Sequence, residues 1–406
     1  MNLNWVKKLG PGLLFAGAAI GVSHLVQATR AGAEFGFGLV WAILFIHIVK
    51  YPFFQIGPRY TTATGESLLH GYKKLGKPIL ALYFIINLAT MFTIQTAVTI
   101  VTGGLAAQVF GITTNPVFWS IAITIICFLL LAIGKYKLLD NLMKFIILTL
   151  SISTLAAVLI AFFNAEDTYS LQQIIPTEAI EISFLIAFLG WMPAPIDVSV
   201  WQSLWTLEKQ KNKSINYNTK QALFDFNISY ATTLILGMLF LALGALVMYN
   251  SGEIFSSKAT DFSKQLIALY TSNLGKGTAI FIAVAAFTTM FSTTLTTLDA
   301  SPRAMAKTIS LFTKEKVTNT YWYWISFLAF GTIVILLFFM SEMATLIKIA
   351  TILAFLTTPF YAIINLILIS GQHTPAKFRP SKMFIIYSII CILLLIGFCF
   401  WYILSW

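Results

Sequence analysis

The chain has 406 residues, of which 58% are hydrophobic and only 10% charged. A soluble domain usually carries about 25% charged residues, so this composition excludes a water-facing globular protein of this size. The formal net charge of +11 does not point to nucleic acid, because Lys and Arg sit in short connectors between apolar runs rather than on one basic patch.

A helix needs about 20 residues to cross about 30 Å of hydrocarbon. The apolar runs predict eleven such helices, near 11–30, 36–60, 77–104, 117–134, 141–163, 178–205, 222–248, 275–299, 322–340, 344–369 and 382–404. Open strands leave unpaired backbone groups in lipid at several kcal/mol each. The expected fold is therefore an all-α polytopic membrane protein, a single transmembrane domain over residues 1–406. No cleavable signal peptide is expected, because the first apolar stretch is long and lacks a small-residue cleavage site.

Span one, PGLLFAGAAIGVSHLVQATRAG, is interrupted near Gly17–His24. A broken helix frees backbone N–H and C=O groups at membrane depth. Gly21, Ser23 and His24 lie beside that break, as a close-approach residue, a hydroxyl and an imidazole. Span two carries His47, which reads as a packing histidine, and Lys50 inside an apolar run. Span six, EISFLIAFLGWMPAPIDVSVWQSLW, is interrupted near Gly190–Pro195. Pro193 and Pro195 lack an N–H, so carbonyls one turn earlier, at Gly190 and Trp191, are expected to be free. Met192 offers a thioether, and Asp197 is an ionisable residue at membrane depth. Such a residue is a functional-site hypothesis by default; the bland alternative is a structural pair with Lys50 or Lys348.

Span eight contains FTTMFSTTLTTLDASPR, with six Thr and two Ser between Phe287 and Arg303. Ser292 and Thr293 fall near mid-membrane, as neutral oxygens for a bound ion or as interhelical hydrogen-bonding groups. Asp299 and Arg303, four residues apart, read as an ion pair or inner gate. Asp225 and Asn227, at the start of span seven, are candidates at the same level. Glu34 falls at the outer end of span one.

Charge asymmetry sets the expected orientation. With the N-terminus inside, the inner connectors carry Lys7, Lys8, Lys73, Lys74, Lys77, Lys135, Lys137, Lys144, Lys209, Lys211, Lys213, Lys220, Arg303, Lys307, Lys314, Lys316, Lys377, Arg379 and Lys382, which is 19 of 26 basic residues. The other side keeps Glu166, Asp167, Glu253, Asp261 and Glu342. This predicts an N-in, C-out protein of a bacterial inner membrane.

Eleven spans divide as five, five and one, with repeats at about 11–163 and 178–369 and an extra helix at about 382–404. Each repeat opens with a broken helix. Interrupted segments at matching positions in two halves point to a transporter site. An enzyme is not expected: there is no GxxxxGK[ST], no HExxH, and GESLL at 65–69 is not a G-x-S-x-G elbow. Cys127, Cys391 and Cys399 show neither zinc nor disulfide spacing.

KKLGPGLLFAGAAIG, ATRAGAEFGFGLVW, ATGESLL and the Trp-Met-Pro of span six together resemble the Nramp family, the natural resistance-associated macrophage proteins, over essentially the whole core. The resemblance implies a LeuT-like 5+5 inverted repeat, shared with sodium-coupled amino-acid transporters, with discontinuous helices one and six. It also implies inward movement of manganese or iron, usually with protons. The family's span-one Asp-Pro-Gly-Asn falls here on Gly21, Val22, Ser23 and His24, so both side-chain oxygen ligands are missing. The family's Met-Pro-His becomes Met192–Pro193–Ala194, and a second family His falls at Ser199. The acidic residue usual in span three has no counterpart.

Divalent ions need anionic oxygen or imidazole ligands to replace their water. His24 with Met192 is one remaining ligand pair, Asp197 a substitute charge, and a hydrated ion needs fewer direct ligands. The expected function is a secondary transporter of a cation, foremost a divalent metal ion, with proton symport as one mode. An amino-acid or other organic-solute transporter of the same fold is the alternative, followed by a non-transporting sensor or scaffold. No cofactor is expected, the metal ion entering as cargo. The expected partners are the lipid bilayer, the ion and protons, with no nucleic acid.

Overall fold

The structure is a computed structural model that describes residues 10–133, 136–163, 169–211, 217–249, 255–274, 279–313, 317–339 and 343–405. Of the residues used to set orientation, Lys7, Lys8, Lys135, Lys213, Lys314, Lys316, Glu166, Asp167, Glu253 and Glu342 lie outside the described residues, as do the side chains of Lys137 and Lys144.

All regular elements among the described residues are helical. Span one divides into α1 (Pro11–Ala19), a wider π-helical segment (Val22–Ala28) and α2 (Thr29–Phe35). Pro11 starts α1, where its missing N–H costs nothing. Span two is α3 (Val40–Thr64), which contains Pro52 and Pro58 and ends at Gly65 with φ 71. That left-handed residue suits glycine, and its N–H donates to the Thr61 carbonyl. The short α4 (Leu68–Leu75) follows, then α5 (Lys77–Phe110), α6 (Pro116–Ile133) and α7 (Tyr136–Phe163).

Span six divides into α8 (Ala179–Trp191) and α9 (Val198–Gln210). Pro193 and Pro195 stop α8, because neither supplies the N–H that its next turn needs. Then come α10 (Thr219–Val247), capped by the Asn218 side chain, α11 (Ala259–Leu274) and α12 (Ala279–Thr313). The chain closes with α13 (Val317–Phe338), α14 (Met343–Ser370) and α15 (Lys382–Leu404). The eleven expected spans all fall on helices. The added elements are α4 and α11, in connectors, and α12 runs well past the expected end of span eight.

Burial sorts the helices. The most apolar stretch of the first span is 94% buried, whereas those of α6 and α15 are 28% and 22% buried. Those outer helices expose Ile125, Leu129, Leu393 and Phe400. Eight helices among the described residues are long and apolar enough to cross a bilayer, and their exposed apolar faces suit lipid. The core is therefore the two broken spans with α3, α5, α10, α12 and α14 around them.

Packing echoes the expected repeat. α1 packs on α10 as α9 packs on α3, and α5 packs on α12 between the two halves. The α2–α10 contact is close enough that a Cβ on Gly32 would strike the Leu241 carbonyl, and one on Gly244 the Thr29 carbonyl. Small residues here let two backbones touch where lipid supplies no hydrophobic drive for association.

Candidate functional site: two helix breaks around one cavity

The breaks in spans one and six face each other. Between them lies a small cavity of about 30 Å³. Span one contributes Ala18, Ala19, Val22 and Ser23; span six contributes Trp191, Ala194, Pro195, Val198 and Trp201. Ile94 and Val98 of α5 and Thr293 and Thr297 of α12 complete the wall. Its side-chain oxygens are all neutral hydroxyls. The indole N–H groups of Trp191 and Trp201 have no hydrogen-bond partner among the described residues.

The first break is satisfied mostly by uncharged groups. Ser23 Oγ lies 2.6 Å from the Ala19 carbonyl, which α1 leaves free, and 3.3 Å from the Pro193 carbonyl of the other break. It is also 2.6 Å from His24 Nδ1. His24 Nε2 is 2.9 Å from the Thr233 carbonyl, and a carbonyl only accepts, so that nitrogen carries a proton. Both imidazole nitrogens are thus engaged, and neither offers a free lone pair to a metal in this arrangement. Gly21 is a glycine because of its neighbour: a Cβ there would lie 2.8 Å from Thr293 Oγ1 and 2.9 Å from its Cγ2. Thr293 itself sits 3.2 Å from the Gly17 carbonyl, to which its hydroxyl can donate.

The second break holds charge. Lys50 of α3 is fully buried, and its ammonium donates to the carbonyls of Leu189, Gly190 and Ala194 at 2.8, 2.7 and 3.1 Å. The freed carbonyl expected at Gly190 is real, and Lys50 is its partner. Gly190 also admits α14, because a Cβ there would strike the Thr351 carbonyl.

Asp197 immediately precedes α9 and is 5% exposed. It lines a second, smaller cavity of about 10 Å³ with Thr90 of α5 and Thr357 and Tyr361 of α14. Pro195 and Ile94 line both cavities and so form the partition. Asp197 Oδ1 and the Tyr361 hydroxyl have no hydrogen-bond partner among the described residues. The ion pairs between described residues are Arg30–Glu34, Lys74–Glu66, Lys211–Glu208 and Arg303–Asp299, so Asp197 forms no direct ion pair with Lys50 or Lys348. Lys348 lines a vestibule of about 730 Å³ with Arg30, Glu34 and Glu181 at one end of the bundle.

The other candidates fall as follows. Met192 is buried, with its sulfur directed at Gly237 of α10 and away from the cavity wall. His24, Met192 and Asp197 therefore do not converge on one point. Ser292 is buried in α12 outside the cavity wall, while Thr293 is on it. His47 packs edge-on to Tyr230 and donates from Nδ1 to the Ile43 carbonyl. Among the described residues no three His, Cys, Asp or Glu side chains gather as a metal site.

At the end of the bundle opposite the vestibule, Asp225 accepts hydrogen bonds from the N–H groups of Gly10 and Gly12 and from the Tyr217 hydroxyl. A carboxylate at a helix N-terminus is favoured by the dipole and satisfies orphan donors. It pins α1 to α10. Asp299 accepts from Arg303 and from the Tyr321 hydroxyl, tying α12 to α13. Asn227 accepts from the Tyr51 hydroxyl, joining α10 to α3. The side chains of Trp201 and Thr297 carry no mark in the sequence, where aromatic and hydroxyl residues in apolar runs look alike; Trp191 stands out there for its carbonyl, and the structure adds its indole.

Two discontinuous helices meeting at a cavity, within paired sets of five spans, are the arrangement of the LeuT fold. The solved structures agree. A manganese transporter of Eremococcus coleocola superposes with a TM-score of 0.71 at 13% identity, covering 98% of this chain and 94% of that one. MhsT in complex with L-phenylalanine gives 0.64 at 13% identity, with 100% and 98% covered. Mhp1, a nucleobase-cation-symport-1 family transporter, gives 0.55 at 14% identity, with 97% and 92% covered. At these identities the likeness is one of fold. The chain matches the family described as natural resistance-associated macrophage protein-like over residues 12–405, and it belongs to that family. It is also 34% identical over 376 residues to an uncharacterized protein of Pasteurella multocida (strain Pm70), covering 90% of this chain and 86% of that protein.

Proposed function

We propose that this protein is a secondary transporter that moves a divalent cation, with part of its water shell retained, through the cavity between the two helix breaks. The observation that carries this reading is the chemistry of the site's lining. Both breaks open on one small cavity of about 30 Å³, room for a water or two, lined by the hydroxyls of Ser23, Thr293 and Thr297. A dehydrated manganese or iron ion requires anionic or imidazole ligands, and the wall has none. Neutral oxygens serve as partners for coordinated water. Asp197, behind Pro195, supplies the nearest buried unpartnered carboxylate oxygen on this side of the break.

Transport then proceeds by alternating access. The bundle is sealed at the basic end by the Asp225 contacts and opens at the other end into the vestibule beside Glu34 and Glu181. The basic end is the cytoplasmic one in this reading. Asp197 is the site of proton coupling: a carboxylate that exchanges a proton with the Tyr361 side of its cavity lets the cargo's charge be offset during the cycle.

Purified protein in proteoliposomes tests this directly. Uptake of magnesium or manganese is expected, rising with an inward proton gradient. The absence of uptake of either ion would sink the cation reading.

A second reading has its own support. The unpartnered indole N–H groups of Trp191 and Trp201 on an otherwise apolar wall suit a small organic solute carrying a carboxylate or carbonyl. Radiolabelled amino acids taken up by the same vesicles, with no metal flux, would select it.

A further inference from the structure

Lys50 is the residue that neither the family resemblance nor the transport reading uses. It is fully buried and reaches from α3 into the break of span six. An ammonium has three donors and no acceptor. Lys50 spends them on three carbonyls, Leu189 and Gly190 in the last turn of α8 and Ala194 between the two prolines, all within 3.1 Å. The C-terminal carbonyls of a helix carry partial negative charge and have no intrahelical donors. Converging carbonyl oxygens of this kind form the donor set of a monovalent-cation site.

We propose that Lys50 is a tethered cation: its ammonium fills a carbonyl cradle at the span-six break and takes the place of a free monovalent cation there. This does not rest on the identity of the cargo. The ammonium links α3 to the end of α8 and to Ala194 inside the break, so it fixes how α8 and the following Met192–Asp197 segment are spaced. It also closes the cradle to any second cation, through occupancy and like-charge repulsion. Coupling by sodium or potassium at this cradle is thereby excluded in the native chain.

Lys50→Ala opens the cradle and removes the tether. The test uses the full-length protein, purified in detergent and reconstituted, with thermal stability and cargo uptake read as functions of added sodium, potassium, ammonium and propylammonium chloride. Native protein is expected to respond identically to all four salts. Lys50→Ala is expected to lose stability and to recover it saturably with propylammonium or one of the smaller cations, but not with tetramethylammonium, which has no N–H and is too bulky. Where uptake is measurable, the variant becomes dependent on the same cation. A side chain that only fills space would give a loss that no cation restores.

Lys50→Met keeps the stem and leaves no room for a cation. It is expected to fold, with lower stability and no salt response. Three outcomes overturn the proposal: Lys50→Ala or Lys50→Met as stable as the native protein, Lys50→Ala insensitive to every cation tried, or saturable stabilisation of the native protein by these monovalent ions. Because stability is read apart from flux, a failure of cation transport in the native protein leaves this test standing.

Discussion

The two helix breaks have the same architecture and opposite chemistry. The break in span one is closed by neutral groups: Ser23 and His24 engage one another and nearby carbonyls, and Thr293 fills the space where a Gly21 side chain would sit. The break in span six is organised by charge, with Lys50 on the carbonyls of α8 and Asp197 at the start of α9. Each charge lies at the helix end whose dipole favours it, the cation at a C-terminus and the anion at an N-terminus. A membrane site can therefore keep a broken-helix geometry while its ionic character moves from one break to the other. In the family pattern the carboxylate belongs to span one; in this chain the central carboxylate belongs to span six.

The largest test of that contrast is at Lys50. Removing its ammonium leaves three buried carbonyls without donors, and Lys50→Ala is expected to cost about 3 kcal/mol in chemical denaturation. The corresponding change in span one is steric. Gly21→Ala forces its Cβ onto Thr293 and is expected to cost about 1–3 kcal/mol, and Gly21→Ala combined with Thr293→Ala recovers most of that loss. A double variant no better than the single one would show that Thr293 is not what keeps position 21 bare.

Asp225→Ala removes the acceptor of the Gly10 and Gly12 N–H groups and of the Tyr217 hydroxyl, at about 1–3 kcal/mol. It is expected to increase labelling of a cysteine placed at Ala18, from the basic end of the protein. Unchanged labelling would remove Asp225 from the seal. Asp197→Asn keeps size and loses charge. It is expected to change melting temperature little and to abolish the dependence of uptake on a proton gradient. Retained dependence would put coupling elsewhere. The smallest effect is expected at Met192, where Leu has a similar volume. Because the sulfur points at Gly237, Met192→Leu should cost less than about 1.5 kcal/mol and leave metal selectivity unchanged. A shift in selectivity would return Met192 to the cargo site.

Much of the architecture is legible in the chain itself. Apolar runs of membrane length mark the spans, and Pro193 and Pro195 mark the second break through chemistry that is local. The first break rests on Gly21 and its neighbours, again a local signal. The site is less legible. Asp197 and Lys50 both stand out as ionisable residues in apolar runs, and a structural pair between them is the simple expectation. Lys50 is instead held by backbone carbonyls, while Asp197 faces a separate small cavity at the start of α9. Trp201 and Thr297 carry no sequence mark, because hydroxyl and aromatic residues recur throughout the spans and only packing selects those that line a cavity.

By itself the sequence determined an all-helical membrane protein, its family and the places where two helices break, because hydrophobic length and missing N–H groups act within a few residues of their cause. Only the tertiary structure decided which groups answer those breaks. Lys50 reaches the span-six carbonyls from 139 residues away along the chain, and Thr293 closes on Gly17 across 276. Such pairings depend on how α3 and α12 pack against the broken spans, and side-chain reach across a helix interface is not written in the spacing of either partner.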